Sequence, residues 1–211
     1  MTRQQRLRAG SQKRREQQKE ELYQAILKAA GDLFLKRGYE GFSLRQVAEE
    51  IGYSPGTIYL YFDNKDDLLR ALATQGFAGF TQMLEAASTS SSDPLERLIA
   101  LARGYITFGL QNPAFYRLIF MERPDFFVSD LAAEENAPVW QGAFALWNQI
   151  LGDAMQSGQL RASDPIKTSD AIWSLLYGIV ALANRMPDFT LERALGAADV
   201  AMEMIVRGLG T

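Results

Sequence analysis

The sequence predicts an all-α protein, a three-helix unit followed by a larger helical body, with about nine helices in all. Three observations carry this. Apolar residues recur at the 3.6-residue helical period, as in Leu22, Ile26, Ala30, Leu33 and Phe34. No stretch sustains the period-two alternation of a half-buried strand. The punctuation is that of helix ends: polar residues before Pro or an apolar run, and glycine after one.

Taken in order, residues 1–20 form a basic, solvated, flexible arm with Leu7 as its one large apolar residue. The first helix follows, closed by Gly38, because glycine takes the left-handed cap conformation without strain. Ser43 and Gln46 have the spacing of a capping box, and Phe42 and Val47 that of a hydrophobic staple. This second helix runs to about Ile51 and stops at Gly52. Ser54 caps a short third helix with Pro55 at its first position, where the missing amide costs nothing. Asp63 and Asn64 precede a fourth helix, with Asp66 and Asp67 favourably placed in its first turn. Ser88 to Ser92 read as a polar linker. Beyond it, Asp93-Pro94, Asn112-Pro113 and Asp164-Pro165 repeat one start signal. They open helices over 94–110, 113–122 and 165–186. Residues 123–137 are irregular, a long helix spans 138–157 before Gly158, and Thr190 opens the last helix. The expected parts are an arm (1–20), a three-helix unit (21–68), a connecting helix and linker (69–92) and a body (93–211).

Composition excludes several function classes. Cysteine and histidine are both absent, which removes disulfides, thiolate chemistry and the commonest metal ligand and general base. No metal or cofactor is expected, and no enzyme; catalysis would have to run on carboxylate, lysine, serine or tyrosine. The start is polar and basic, unlike a signal peptide, and the longest apolar stretch, 171–183, is short of the ~20 residues that span a bilayer. A cytoplasmic protein without a membrane partner is expected. The net charge of −3 is unevenly spread: residues 1–70 hold 13 Lys and Arg against 10 Asp and Glu, the rest 9 against 15. A basic end on an acidic body suggests that the first part meets a polyanion.

Two short helices joined by a tight glycine turn form a helix-turn-helix, whose second helix enters the DNA major groove. The run Phe42-Ser43-Leu44-Arg45-Gln46-Val47-Ala48-Glu49-Glu50-Ile51-Gly52-Tyr53-Ser54-Pro55-Gly56-Thr57-Ile58-Tyr59-Leu60-Tyr61-Phe62, then Lys65 and Leu68-Leu69, resembles the tetracycline-repressor (TetR) family. With the first helix the resemblance covers residues 22–70. Pro55 stands where the family often has a basic residue, and Tyr53 where it often has valine. Candidate DNA contacts are Ser43, Leu44, Arg45, Gln46, Tyr53, Ser54, Pro55, Gly56, Thr57, Tyr59, Tyr61 and Lys65. Ser43, Thr57, Tyr59 and Lys65 are suited to phosphates, and Arg45, Gln46 and Tyr53 to base edges or phosphates. The bland alternative is a capped helical bundle, which leaves the small, tyrosine-exposing third helix unexplained. The arm, with seven Lys and Arg against Glu16 in residues 1–19, reads equally as a solvated tail or as a contact to DNA phosphates.

The body looks like the ligand-binding and dimerisation half of the same family. Tyr105-Ile106-Thr107-Phe108-Gly109-Leu110-Gln111-Asn112-Pro113-Ala114-Phe115-Tyr116-Arg117-Leu118-Ile119-Phe120 and Trp173-Ser174-Leu175-Leu176-Tyr177-Gly178 resemble the subfamily with a tryptophan-histidine-glycine signature; Tyr177 replaces the histidine. Candidate ligand contacts are Tyr105, Phe108, Phe115, Tyr116, Phe120, Met121, Phe127, Trp140, Phe144, Trp147, Trp173 and Tyr177, although an aromatic at helical spacing, taken singly, is more often plain core. As a set they suit a small apolar or aromatic inducer, oriented by Tyr105, Tyr116, Gln141, Asn148 or Tyr177. The last two helices are apolar on more than one face, which would expose a large patch in a monomer. The resemblance implies a homodimer paired through Ile172, Leu175, Leu176, Ile179, Val180, Ala183, Met202 and Ile205. Its implied function is a sequence-specific repressor, released from a near-palindromic double-stranded DNA operator by the inducer. The alternatives are a DNA-binding protein without a small ligand and a carboxylate-dependent enzyme or carrier.

Overall fold

A computed structural model describes residues 3–123, 137–161 and 164–209, and among them are nine α-helices, one π-turn and no strand. The chain divides into two compact units, Met1–Thr74 and Gln75–Thr211.

The first unit holds α1 (Arg3–Arg37), α2 (Leu44–Glu50), α3 (Pro55–Tyr59) and the start of α4 (Lys65–Ser88). Its core is Ile26, Leu27, Ala30, Leu33 and Phe34 of α1 against Val47, Ala48, Ile58, Phe62, Leu68 and Leu69, each at most 6% exposed. The caps form where the sequence places them. Ser43 Oγ accepts from Gln46 N–H at 3.4 Å, and the Gln46 carboxamide turns onto the same hydroxyl at 3.3 Å. Gly52 takes φ +73°, and the Gly52 and Tyr53 amides donate to the carbonyls of Glu49 and Ala48. This Schellman closure turns the chain sharply into α3. There Ser54 Oγ accepts from Thr57 N–H at 3.3 Å. Ser54→Ala should lower stability by about 1 kcal/mol, read as a lower urea midpoint with an unchanged slope. An unchanged midpoint would show that α3 is held by packing alone. Asn64 caps α4 through the Asp67 amide at 2.9 Å.

The expected solvated arm is instead a helical extension of α1 from Arg3. Residues 9–20 are exposed all round, so burial does not hold this stretch. Side-chain pairs one turn apart do, including Gln12–Glu16 at 3.2 Å and Gln17–Glu21 at 2.9 Å.

The second unit begins at Gln75 rather than at the expected 93, because Phe77, Phe80 and Leu84 of α4 belong to its core. Phe77 stacks edge-on against Phe115 at 5.2 Å, and Phe80 packs on Tyr105 and Phe108. It continues with α5 (Pro94–Gln111), α6 (Pro113–Arg117), the π-turn Leu118–Glu122, α7 (Ala137–Gln156), α8 (Pro165–Ala183) and α9 (Leu191–Leu209). Asp93 and Asp164 cap α5 and α8 as expected. The single helix expected over 113–122 is split. The Arg123 amide reaches back five residues to the Leu118 carbonyl at 2.7 Å. The wider turn brings Arg117 and Glu122 together, with Nε to Oε1 at 2.6 Å.

At the centre, α5 packs against α7, α8 and α9. Gly109 sits where α5 meets α8, and a Cβ there would lie 2.6 Å from Val180 Cγ1. Helix α8 starts at Pro165, so at nineteen residues and mean hydropathy 1.2 it is the one described helix long and apolar enough to cross a membrane. Here it is a packed helix that buries Ser169, Ile172, Leu176, Ile179 and Val180. This corrects the expected interface set. Ile172, Leu176, Ile179, Val180 and Met202 are at most 9% exposed within their own chain. The four on α8 are covered because that helix packs against α5, α7 and α9, and Met202 because α9 packs against α5 and α8. Ala183 and Ile205 are half-buried. Of that set Leu175 is exposed, and Leu182 of α8 and Val200 and Met204 of α9 are exposed as well.

Candidate functional sites: the helix-turn-helix face and an aromatic cavity

The outward face of α2 and α3 follows from two turns of caps. Ser43 and Arg45 are exposed at the start of α2; Tyr53, Ser54, Pro55, Gly56 and Tyr59 are exposed along the turn and α3. Gln46 and Thr57 are half-buried by their roles in the caps. Ile58 is fully buried and locks α3 onto the core. The surface therefore offers hydroxyls, one guanidinium and two phenols, and α3 carries no charged side chain at all.

Three expected DNA contacts stand elsewhere. Leu44 is 5% exposed and belongs to the core. Tyr61 packs beside Tyr23 and Phe62, and its hydroxyl donates to the Lys19 carbonyl at 3.5 Å. Lys65 points inward: Nζ donates to the Tyr39 carbonyl at 2.6 Å and lies 4.0 Å from the Tyr39 ring centre. Its ammonium braces the loop between α1 and α2, with Tyr39 Oη donating to Asp66 at 2.5 Å. One residue was missed. Leu60, at the end of α3, is 82% exposed, a bare apolar group suited to a thymine methyl. A lone leucine in an apolar run reads as core, so no sequence signal marks it.

In the second unit a cavity of about 280 Å³ is lined by Phe80, Leu84, Phe120, Ala143, Phe144, Trp147, Asn148, Ile166, Ser169, Asp170 and Trp173. Of the expected ligand contacts, Phe120, Phe144, Trp147 and Trp173 line it. Asn148, expected as a polar contact, does too. Phe108 and Phe115 are buried in the packing behind, 5.6 Å apart. Met121 is half-buried and does not line the cavity. Phe127 lies outside the described residues, as do the side chains of Trp140 and Gln141. Phe80 and Leu84 were missed because their helical spacing is that of ordinary core; Ser169 and Asp170 were missed because small polar residues in the second turn of a helix read as its solvated face.

Tyr105, Tyr116 and Tyr177 stand behind the wall and fix it. Trp173 Nε1 donates to Tyr105 Oη at 3.0 Å, and the Tyr105 and Tyr116 hydroxyls are 3.1 Å apart. Tyr116 Oη donates to the Tyr177 carbonyl at 3.4 Å, and Tyr177 Oη to the Phe120 carbonyl at 3.3 Å. Tyr116 has one proton, so Tyr105 must donate to it, and the chain runs in one direction from the indole inward. Burial pushes the Tyr105 and Tyr116 phenols above their ordinary range, so both stay protonated donors. Two cavity walls, Trp173 and Phe120, are thus tied to the core by hydrogen bonds as well as by packing.

Residues 26–72 match the family model of bacterial regulatory proteins of the tetR family, and residues 98–207 that of a tetracyclin repressor-like C-terminal domain. The chain belongs to the tetR family. As a tetR-family member it is a DNA-binding transcriptional regulator. A fatty acid metabolism regulator protein of Bacillus subtilis is 25% identical over 146 residues, 68% of this chain and 73% of that one. An HTH-type transcriptional repressor of Mycobacterium tuberculosis is 29% identical over 173 residues, 75% of this chain and 90% of that one. The tetR-family fold is shared with the regulator FadR of Bacillus subtilis, solved in complex with stearoyl-CoA. Its TM-score is 0.71 at 20% identity, covering 89% of this chain and 99% of that chain.

Proposed function

We propose that this protein is a cytoplasmic, homodimeric repressor that leaves a near-palindromic operator when a small apolar or aromatic molecule enters the cavity of its second unit. The observation that carries the reading is a single chain holding both parts: an exposed, capped helix-turn-helix and an aromatic cavity. Helix α4 starts at the base of the first and supplies Phe80 and Leu84 to the second. Several named relatives are repressors or regulators, and the FadR complex with stearoyl-CoA supports small-molecule binding in this fold.

Base reading is assigned to Arg45, Gln46, Tyr53, Tyr59 and Leu60, and phosphate contacts to Ser43, Ser54, Thr57 and the backbone amide of Gly56. Pairing of two copies is assigned to a stripe of α8, exposed Ala171, Leu175 and Leu182 with half-buried Gly178, together with exposed Val200 and Met204 of α9. These recur every three or four residues and so share a face. Two-fold symmetry then makes the operator a near-palindrome, with half-sites about 34–36 Å, one helical turn, or a multiple apart.

The test is fluorescence anisotropy on the duplex immediately upstream of the protein's own gene, against a scrambled duplex, at two salt concentrations. The expected result is tight binding to the native duplex alone, with two chains per site. Equal, salt-sensitive binding to both would place the operator elsewhere. Absence of binding to either at low salt would overturn the reading.

A further inference from the structure

Resting on the cavity as the ligand site, we infer that its ligand is a compact organic cation, an aromatic or quaternary amine, and not an anion. The cavity's charge and ring arrangement carry this. Among the described residues, Asp170 is the one ionisable group that lines it, and no Lys or Arg does. On the same helix Lys167 is held by Asp164 at 3.2 Å. Asp170 stands one turn before Trp173 on α8, so its carboxylate and the indole share a face.

The rings around it meet mostly edge to face. Phe120 and Trp173 lie 6.2 Å apart at 65°, Phe144 and Trp173 6.3 Å apart at 77°, and Phe80 and Phe120 6.4 Å apart at 68°. In such pairs one ring lends its positive edge to the face of the next. Rings set at steep angles around one space form a cage of the kind that holds quaternary ammonium groups. A carboxylate at the rim adds an ordinary Coulomb attraction. The same two features repel a carboxylate, sulfonate or phosphate, for which the described lining residues offer no cationic partner. At about 280 Å³ the cavity also falls just below the range of about 300–1,000 Å³ for ligand sites. A long-chain acyl thioester, carrying several negative charges, fits neither the size nor the sign.

Three probes of one shape separate the possibilities: benzyltrimethylammonium, its uncharged carbon isostere neopentylbenzene, and the anion phenylmethanesulfonate. Each is titrated into the full chain, with tryptophan fluorescence and calorimetry as readouts. The expected result is that the cation binds at least tenfold more tightly than the isostere and that the sulfonate does not bind. Asp170→Asn, a change at an exposed position, should weaken the cation about tenfold, leave the isostere unchanged and preserve the circular dichroism spectrum. If the isostere matches the cation, or Asp170→Asn leaves the cation's affinity unchanged, the charge assignment falls while the cavity remains a ligand site. If none of the three binds at millimolar concentration, both fall.

Discussion

Deletion of residues 2–18 is expected to weaken binding to every duplex by a similar factor and to flatten the dependence of affinity on salt. The reason is the distribution of charge around the reading face. Helix α3 is uncharged, α2 offers Arg45 beside Glu49 and Glu50, and Lys65 is spent on the Tyr39 carbonyl. Affinity for DNA rests largely on neutralising phosphates, and the surplus positive charge of this chain is elsewhere, in the seven Lys and Arg among residues 1–19. These lie on the helical extension of α1, a rod of about 1.5 Å per residue. Lys13, Arg14, Arg15 and Lys19 are spread around it rather than confined to one stripe, which suits contact with a phosphate backbone and not base reading. Each phosphate released lowers the slope of log affinity against log salt by about 0.9. A slope reduced by two or more, with discrimination between operator and scrambled duplex retained, is the expected measurement. An unchanged slope would leave the extension a solvated helix with no part in DNA binding.

Gly109→Ala is expected to destabilise the protein by about 2 kcal/mol, and Gly109→Leu by more. A helical glycine replaced by alanine ordinarily gains about 1 kcal/mol. Here the added carbon would lie 2.6 Å from Val180 Cγ1 and 3.1 Å from Tyr116 Cδ2. Neither neighbour has room: Val180 and Tyr116 are at most 1% exposed. Overpacking of this kind costs about 1–3 kcal/mol, so the sign reverses. The displaced Tyr116 also carries the hydroxyl chain that holds Trp173, so ligand affinity should fall together with stability. Gly152→Ala on α7, whose Cβ would meet nothing within 4 Å, is the control and should be neutral or stabilising. A Gly109→Ala protein as stable as the parent in urea would mean that α5 and α8 part freely there.

The helices and their ends were legible because caps are local. Ser43, Ser54, Asn64, Asp93 and Asp164 each bond an amide two or three residues away. The reading face was largely legible for the same reason, since exposure of Tyr53, Ser54 and Tyr59 follows from the turn. What failed depends on distant partners. Lys65 is turned inward by Tyr39, 26 residues away. The division of the aromatics into cavity wall and backing is decided by contacts such as Trp173 with Tyr105, 68 residues apart. An interface set read from apolar faces of α8 could not be separated from core, because that helix packs one apolar face against three helices and leaves another exposed. The basic extension looked like coil because it has no apolar face; its helical support is one-turn polar pairing, which hydrophobic periodicity does not register.

Helix α4 has a practical consequence for dissecting the molecule. The border between the compact units falls inside it, after Thr74. Cutting there would strand the helical stretches 65–74 and 75–88, each near or below the roughly 12–15 residues at which an isolated helix holds in water. An N-terminal fragment made for spectroscopy should therefore end in the serines after α4, at Ser90 or beyond. It would then carry Phe77, Phe80 and Leu84 uncovered, and detergent or substitutions to polar residues at those three positions would keep it from clumping.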